Sequence, residues 1–412
     1  MTGSSHVSNV WAKTTDLQVV SGHGCRVVDV NGVEYLDFTA GIAAASTGHS
    51  HPRVVQAISE QAGRFIHAQQ NVYTHDLLEP LAARLAEITP ESIDTFFFAN
   101  SSDEVLEVAV KVAKHATGRH SIIVLDGAFH GRTHLTMAMS TSRSIDRAGY
   151  GPLPSGVFIA PFPDPHASDQ EAEISAALRG LDRLFATQVA ASEVAAIVVE
   201  PVISERGYIP TPAAFIRGLA ERCREHGILF VADEVQSGFG RTGKMFAIEA
   251  HDVEPDMLCM AKGIASGFPF AALGMRRSID DSWRVGSQGG SSNGNPIGCA
   301  AALATIDVLT APGFLDNVHA RGNQLIDALR DMQQLDASLR YVRGRGLMVA
   351  TEFDSAERAV AVVGHCLRES RVILMPAGTR GRTVRWMPPL VVTSAEISEA
   401  VQAFESAIRA TS

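Results

Sequence analysis

No run of about 18 apolar residues, the length a membrane-spanning helix needs, occurs anywhere in the 412-residue sequence. The N-terminal stretch MTGSSHVSNVWAKTTDLQVV has no apolar block after a basic start, so neither a secretion signal nor a membrane anchor is expected. Cysteine is sparse: Cys25, Cys223, Cys259, Cys299 and Cys366 form no C-x-x-C pair. An odd, scattered set fits reduced, buried thiols and a cytoplasmic location. Positive charge is in deficit, with 35 Lys and Arg against 45 Asp and Glu, which argues against a phosphate-backbone binder and so against nucleic acid as a partner. There is no H-E-x-x-H motif, so His49, His51 and His130 read as turn or packing residues and no metal site is expected. Repeats, low-complexity tracts and Pro/Gly linkers are also missing. What remains is a chain 46% hydrophobic and 19% charged, globular in composition and long enough for two or three domains.

From about residue 50, helical periodicity alternates with short apolar runs. Helices are predicted at 52–66, 103–116, 212–226 and 295–309, and strands at 121–126, 195–202, 228–235, 256–262 and 270–275. Short runs apolar on both faces and separated by helices predict an α/β domain whose mostly parallel sheet is covered on both sides. Beyond residue 310 come a long helix, a strand near YVRGRGLMVATEF, a helix near 356–369, the strands RVILMP and TVRWMP, and a last helix from 394. This is a smaller α+β unit, which implies a site shared between the two. The expected division is 50–309 for the large domain and 310–412 for the small one, with 1–49 contributing to the small domain.

Asp233 and Glu234 end the apolar run ILFVADEV, where open α/β sheets place their ligands. Asp233 either caps a turn or faces a protonated ring nitrogen. Lys262 closes the run DMLCMAK, and there a lysine either snorkels to solvent or becomes neutral and nucleophilic. One ring could bridge the two strand ends. Backbone N–H groups for a phosphate are available where Asn100, Ser101 and Ser102 precede one helix, and where Gly289, Gly290, Ser291 and Ser292 precede another.

The blocks DVNGVEYLDFTAGIAAASTGHSHPRV, DGAFHGRTHLTMAMS, VVEPV, VADEVQSGFGRTGKMFA, AKGIASGFP, GNPIGCAAAL and VRGRGLMVA run in order from about Val28 to Ile408. Together they resemble the class III aminotransferases of pyridoxal-phosphate (PLP) fold type I, above all the 4-aminobutyrate branch. The resemblance implies pyridoxal 5′-phosphate as cofactor, Lys262 as its Schiff-base lysine, Asp233 as partner of the pyridine nitrogen and Gln236 as neighbour of the phenolic oxygen. It also implies that Val235 and Phe129 flank the ring, that Ser102 and Asp103 bind phosphate through backbone amides, and that Ser291 reaches the phosphate of the neighbouring subunit. A homodimer follows, with pairing of dimers into tetramers left open.

For the substrate, Arg132 matches the arginine that holds the distal carboxylate, and Glu200 its carboxylate neighbour. Arg385 matches the arginine that holds the α-carboxylate of a keto acid, and Glu205 the residue that pairs with it when the donor has none. Ile42 and Asn71 fall at substrate-facing positions, Asn71 where glutamine is often found. The implied reaction moves an amino group from an ω-amino acid such as 4-aminobutyrate to a keto acid such as 2-oxoglutarate. The rivals are an acetylornithine, diamine or amine:pyruvate transaminase, an aminomutase, and a non-catalytic protein of the same fold. Two departures stand out. Phe129 replaces a common tyrosine, and Asp103 sets a carboxylate beside the expected phosphate, where like charges repel unless the side chain turns away.

Overall fold

The structure is a computed structural model that describes residues 6–411. Its central sheet has seven strands in the order Thr95–Ala99, Ala271–Met275, Met257–Met260, Leu229–Asp233, Val194–Val199, Ser121–Leu125 and Val157–Ala160. Pairing is parallel except around Ala271–Met275, which runs antiparallel to both neighbours. Ser121–Leu125, Val194–Val199, Met257–Met260 and Ala271–Met275 are buried at every residue, as continuous apolar runs require when helices cover both faces.

The predicted helices form close to their expected bounds. Ser102–Thr117 starts where the Ser101 side chain accepts from Glu104 N, and stops at Gly118, whose left-handed φ of 67° ends the run. Pro296–Leu309 begins with proline in its first turn and is capped by the Asn295 side chain. It is apolar nearly all round and packs on Pro52–Arg64. No single helix among the described residues is long and apolar enough to cross a membrane, and all five cysteines are free and buried.

Toward the C-terminus the helices Phe314–Leu335, Ala356–Ser370 and Ser394–Ala410 pack with a four-stranded sheet ordered Leu339–Arg345, Met348–Phe353, Thr383–Trp386, Met375–Ala377. The run read as one strand, YVRGRGLMVATEF, is an antiparallel hairpin that turns at Gly346, φ 56°. The run RVILMP is likewise divided. Val372–Ile373 pairs in parallel with Glu34–Asp37 in a sheet of N-terminal strands, and Met375–Ala377 pairs with Thr383–Trp386. Buried Leu374 is the crossover point between the two sheets, a change of partner that periodicity does not encode. In the same way the predicted strand 195–202 stops at Val199, and Met260 ends the strand expected to reach 262.

Three backbone segments meet where this part docks on the large sheet. A Cβ on Gly322 would lie 2.4 Å from the Gly346 carbonyl oxygen, and one on Gly346 would lie 2.4 Å from the Thr242 carbonyl carbon. Fully buried Arg241 fastens the contact, donating from Nη1 to the carbonyls of Leu347 at 3.1 Å and Pro388 at 2.5 Å. Alanine gains about 1 kcal/mol over glycine in an unhindered helix. Gly322→Ala is nonetheless expected to destabilise by about 1–3 kcal/mol, because the neighbouring atoms are backbone and cannot move aside cheaply. A lowered denaturation midpoint with an unchanged slope checks this.

Candidate active site

Asp233 ends the strand Leu229–Asp233 and is 5% exposed. One of its oxygens accepts from Val235 N at 3.1 Å, and the other meets His130 Nδ1 at 2.7 Å. His130, read from the sequence as a turn or packing residue, is therefore bonded to the central carboxylate. Its side chain is fully buried and its Nε2 has no partner. Burial alone would lower the His130 pKa, but the hydrogen bond and charge of Asp233, with the charge of Glu200, raise it overall. The adjacent Glu234 turns away: it accepts from Ser237 Oγ and from Ile248 N at 2.7 Å. Burial pushes its pKa up to about 7.

Lys262 lies two residues past its strand, at the start of the short turn Lys262–Ala265. Its φ of 47° is in the left-handed region, which costs a non-glycine residue roughly 1 kcal/mol or more and marks a backbone held by its surroundings. The holding contacts come from the N-terminal part of the chain. Thr47 N donates to Ser266 Oγ at 2.9 Å, and Ser46 Oγ stands 2.7 Å from where a Cβ on Gly263 would be. The Lys262 amine has no hydrogen-bond partner among the described residues. Burial lowers its pKa from the ordinary lysine value, opposed by the charges of Glu205 and Asp233.

Arg385, on the strand Thr383–Trp386, is 1% exposed and donates from Nη1 to Glu205 Oε1 at 2.5 Å. Its guanidinium lies 5.7 Å from the centre of the buried Tyr208 ring. Burial would raise the Glu205 pKa, yet the charge and hydrogen bond of Arg385 bring it below the usual value. Ile42 is exposed. It belongs to the left-handed segment Ala40–Ala43, whose Ala43 packs with Tyr208 and Met387.

Arg132 does not pair with Glu200. Its guanidinium lies 4.8 Å above the Phe129 ring, and Nη2 donates to Asp146 Oδ1 at 3.3 Å. Glu200 instead accepts from Phe129 N at 2.8 Å and from Ser204 N and Oγ at 3.0 and 2.6 Å. The reason is burial: a 3% exposed carboxylate takes the fixed donors next to it, whereas 60% of the Arg132 side chain is exposed. Burial, opposed by the charge of His130, pushes the Glu200 pKa up to about 7. The Asp103 side chain is bonded to the loop that carries Arg132. Its Oδ1 accepts from Arg132 N at 2.8 Å and fills the space beside Gly131, where any Cβ would lie 1.7 Å from that oxygen.

The amides of Ser102 and Asp103 open the helix Ser102–Thr117 without intrahelical acceptors. Beside them Asn100 Nδ2 donates to Asn293 Oδ1 at 2.7 Å, so the two helix-start segments of one chain touch. Ser291 is exposed on the isolated chain, and exposed Asn71 lies against Gly289. Val235 and Gln236 are buried, and Gln236 Oε1 has no partner.

The family model described as aminotransferase class III matches residues 7–408, and the chain belongs to that family. It is 34% identical to the probable 4-aminobutyrate aminotransferase of Bacillus subtilis, over 95% of this chain and 92% of the relative. It is 36% identical to a 5-aminovalerate aminotransferase of Pseudomonas putida, over 92% and 90%. Among solved structures it is similar to an amine transaminase from an uncultivated Pseudomonas species in its PLP-bound form, with a TM-score of 0.92, 27% identity and 99% coverage of both chains. The protein is thus an aminotransferase of PLP fold type I, with pyridoxal 5′-phosphate as cofactor. The residues present fit that group: a buried amine at Lys262, a buried carboxylate at Asp233, a buried amide side chain at Gln236 and a free helix N-terminus at Ser102.

Because the folded-state pKa of His130 is raised, its pair with Asp233 stabilises fully below the unfolded histidine pKa of about 6.5 and loses that contribution as pH rises through the higher folded value. His130→Gln is expected to cost about 1–3 kcal/mol at pH 6 and less at pH 9. Denaturation at the two pH values checks it.

Proposed function

We propose that the chain transfers the amino group of a short ω-amino acid, such as 4-aminobutyrate, to 2-oxoglutarate, acting as a cytoplasmic homodimer. The observation that carries this is the buried Glu205–Arg385 pair at 2.5 Å. A guanidinium 1% exposed needs an anion beside it at all times. Glu205 supplies one while a donor without an α-carboxylate occupies the site, and the α-carboxylate of the keto acid takes its place as a bidentate partner in the other half of the cycle. The names of the two relatives, each for an ω-amino acid, support the same substrate class.

Bound pyridoxal phosphate supplies the electron sink that makes a proton on the amine-bearing carbon removable. In this reading Lys262 holds the cofactor and then moves that proton at Nζ, and its lowered pKa favours the neutral form a base needs. Asp233, its orientation fixed by His130 and Val235 N, would face the ring nitrogen. Val235 and Phe129 would flank the ring, Gln236 would bond its phenolic oxygen, and the amides of Ser102 and Asp103, free at a helix N-terminus, would hold the phosphate. Arg132 takes the distal carboxylate, while Ile42 and Asn71 border the substrate. Ser291 serves the partner's phosphate, and exposed Ile66, Val72 and Tyr73 near Asn71 support a dimer interface.

Glutamate formation from 4-aminobutyrate and 2-oxoglutarate tests the reading, and Lys262→Ala is expected to abolish it. Arg385→Gln is expected to lower kcat/KM for the keto acid by about 30- to 1000-fold. The same change should leave the amine half-reaction within a few fold of wild type. Equal loss in both halves would contradict the assigned role.

A further inference from the structure

We propose that Arg143 is a specificity-determining positioning residue: it holds Asp146, so that Arg132 is free to exchange that carboxylate for the distal carboxylate of the amino donor. This rests on the reading of Arg132 given above and extends it to two residues with no part in it so far.

The geometry is an unequal sharing of one anion between two cations. Asp146 is 9% exposed. Arg143 grips both its oxygens, Nε to Oδ2 at 3.1 Å and Nη2 to Oδ1 at 3.0 Å, in the two-point fork that guanidinium and carboxylate form best. Arg132 makes one contact, Nη2 to Oδ1 at 3.3 Å, and its side chain is the more exposed of the two, 60% against 32%. Two guanidinium groups and one carboxylate leave a single positive charge uncompensated, which suits one further carboxylate.

The same unequal sharing decides which cation moves. If Arg143 left, a buried carboxylate would depend on Arg132 alone, and drawing Arg132 to a substrate would orphan it. If Arg132 leaves, Asp146 keeps its two-point partner. Arg132 is also the arginine on the site side, since its guanidinium covers Phe129, whose neighbour His130 bonds Asp233.

The test follows the donor half-reaction by the change in the visible band of the holoenzyme. Saturation with 4-aminobutyrate is compared with saturation by L-alanine, which has an α-carboxylate and no distal one. In Arg143→Gln, the half-saturation concentration for 4-aminobutyrate is expected to rise by about 10-fold or more while that for L-alanine stays within about 2-fold. In the double variant Arg143→Gln with Asp146→Asn there is no anion left to occupy Arg132, and half-saturation for 4-aminobutyrate is expected to return to within about 3-fold of wild type. An unchanged constant in Arg143→Gln, an equal loss for both donors, or no recovery in the double variant would each overturn the proposal. If Arg143→Gln does not fold, Arg143→Lys replaces it, with a smaller rise for 4-aminobutyrate alone supporting the proposal and no rise overturning it. A wild-type enzyme that reacts with L-alanine and ignores ω-amino acids would overturn the underlying reading, and the inference with it.

Discussion

A charge taken out of water must keep a partner, and the candidate active site of this aminotransferase is arranged around that constraint. The sheet buries its strands on both faces, so polar side chains at the strand ends emerge into low-dielectric surroundings with few solvent contacts. Asp233 meets this with His130 and a backbone amide, Arg385 with Glu205, and Glu200 with Ser204 and Phe129 N. Lys262 makes no hydrogen bond among the described residues, and burial lowers its pKa. An amine in that state is what a covalently held cofactor would use.

Packing at a distance makes this arrangement rigid. The turn bearing Lys262 is tied through Ser266 to Thr47, and the loop after Asp233 is tied through Arg241 to the carbonyls of Leu347 and Pro388. Close backbone contact among Gly322, Gly346 and Thr242 brings the C-terminal sheet, and Arg385 with it, against that same loop. Both sides of the substrate cleft therefore depend on contacts between segments far apart in the chain.

The large sheet was legible because its strands are short apolar runs between amphipathic helices. Asp233 and Lys262 stood out as candidates because charged residues end apolar runs there, and the roles expected of them came from the resemblance rather than from the pattern. Other features depend on three-dimensional neighbours that no local pattern specifies. The bond from His130 to Asp233 joins residues 103 apart, and its only local sign was a histidine next to Phe129 in GAFHGRT. The separation of Glu200 from Arg132 follows from burial, and the position of the Asp103 side chain follows from an open Arg132 amide beside Gly131. The division of RVILMP between two sheets required knowing where each sheet ends.

The sequence contains only five lysines, Lys13, Lys111, Lys114, Lys244 and Lys262, which makes the central claim open to a direct measurement. Purified protein is saturated with pyridoxal phosphate, reduced with borohydride to fix the cofactor covalently, digested, and mapped by mass. The account predicts one cofactor per chain on the peptide containing Lys262. Cofactor spread over the other four lysines, or none retained, would contradict it.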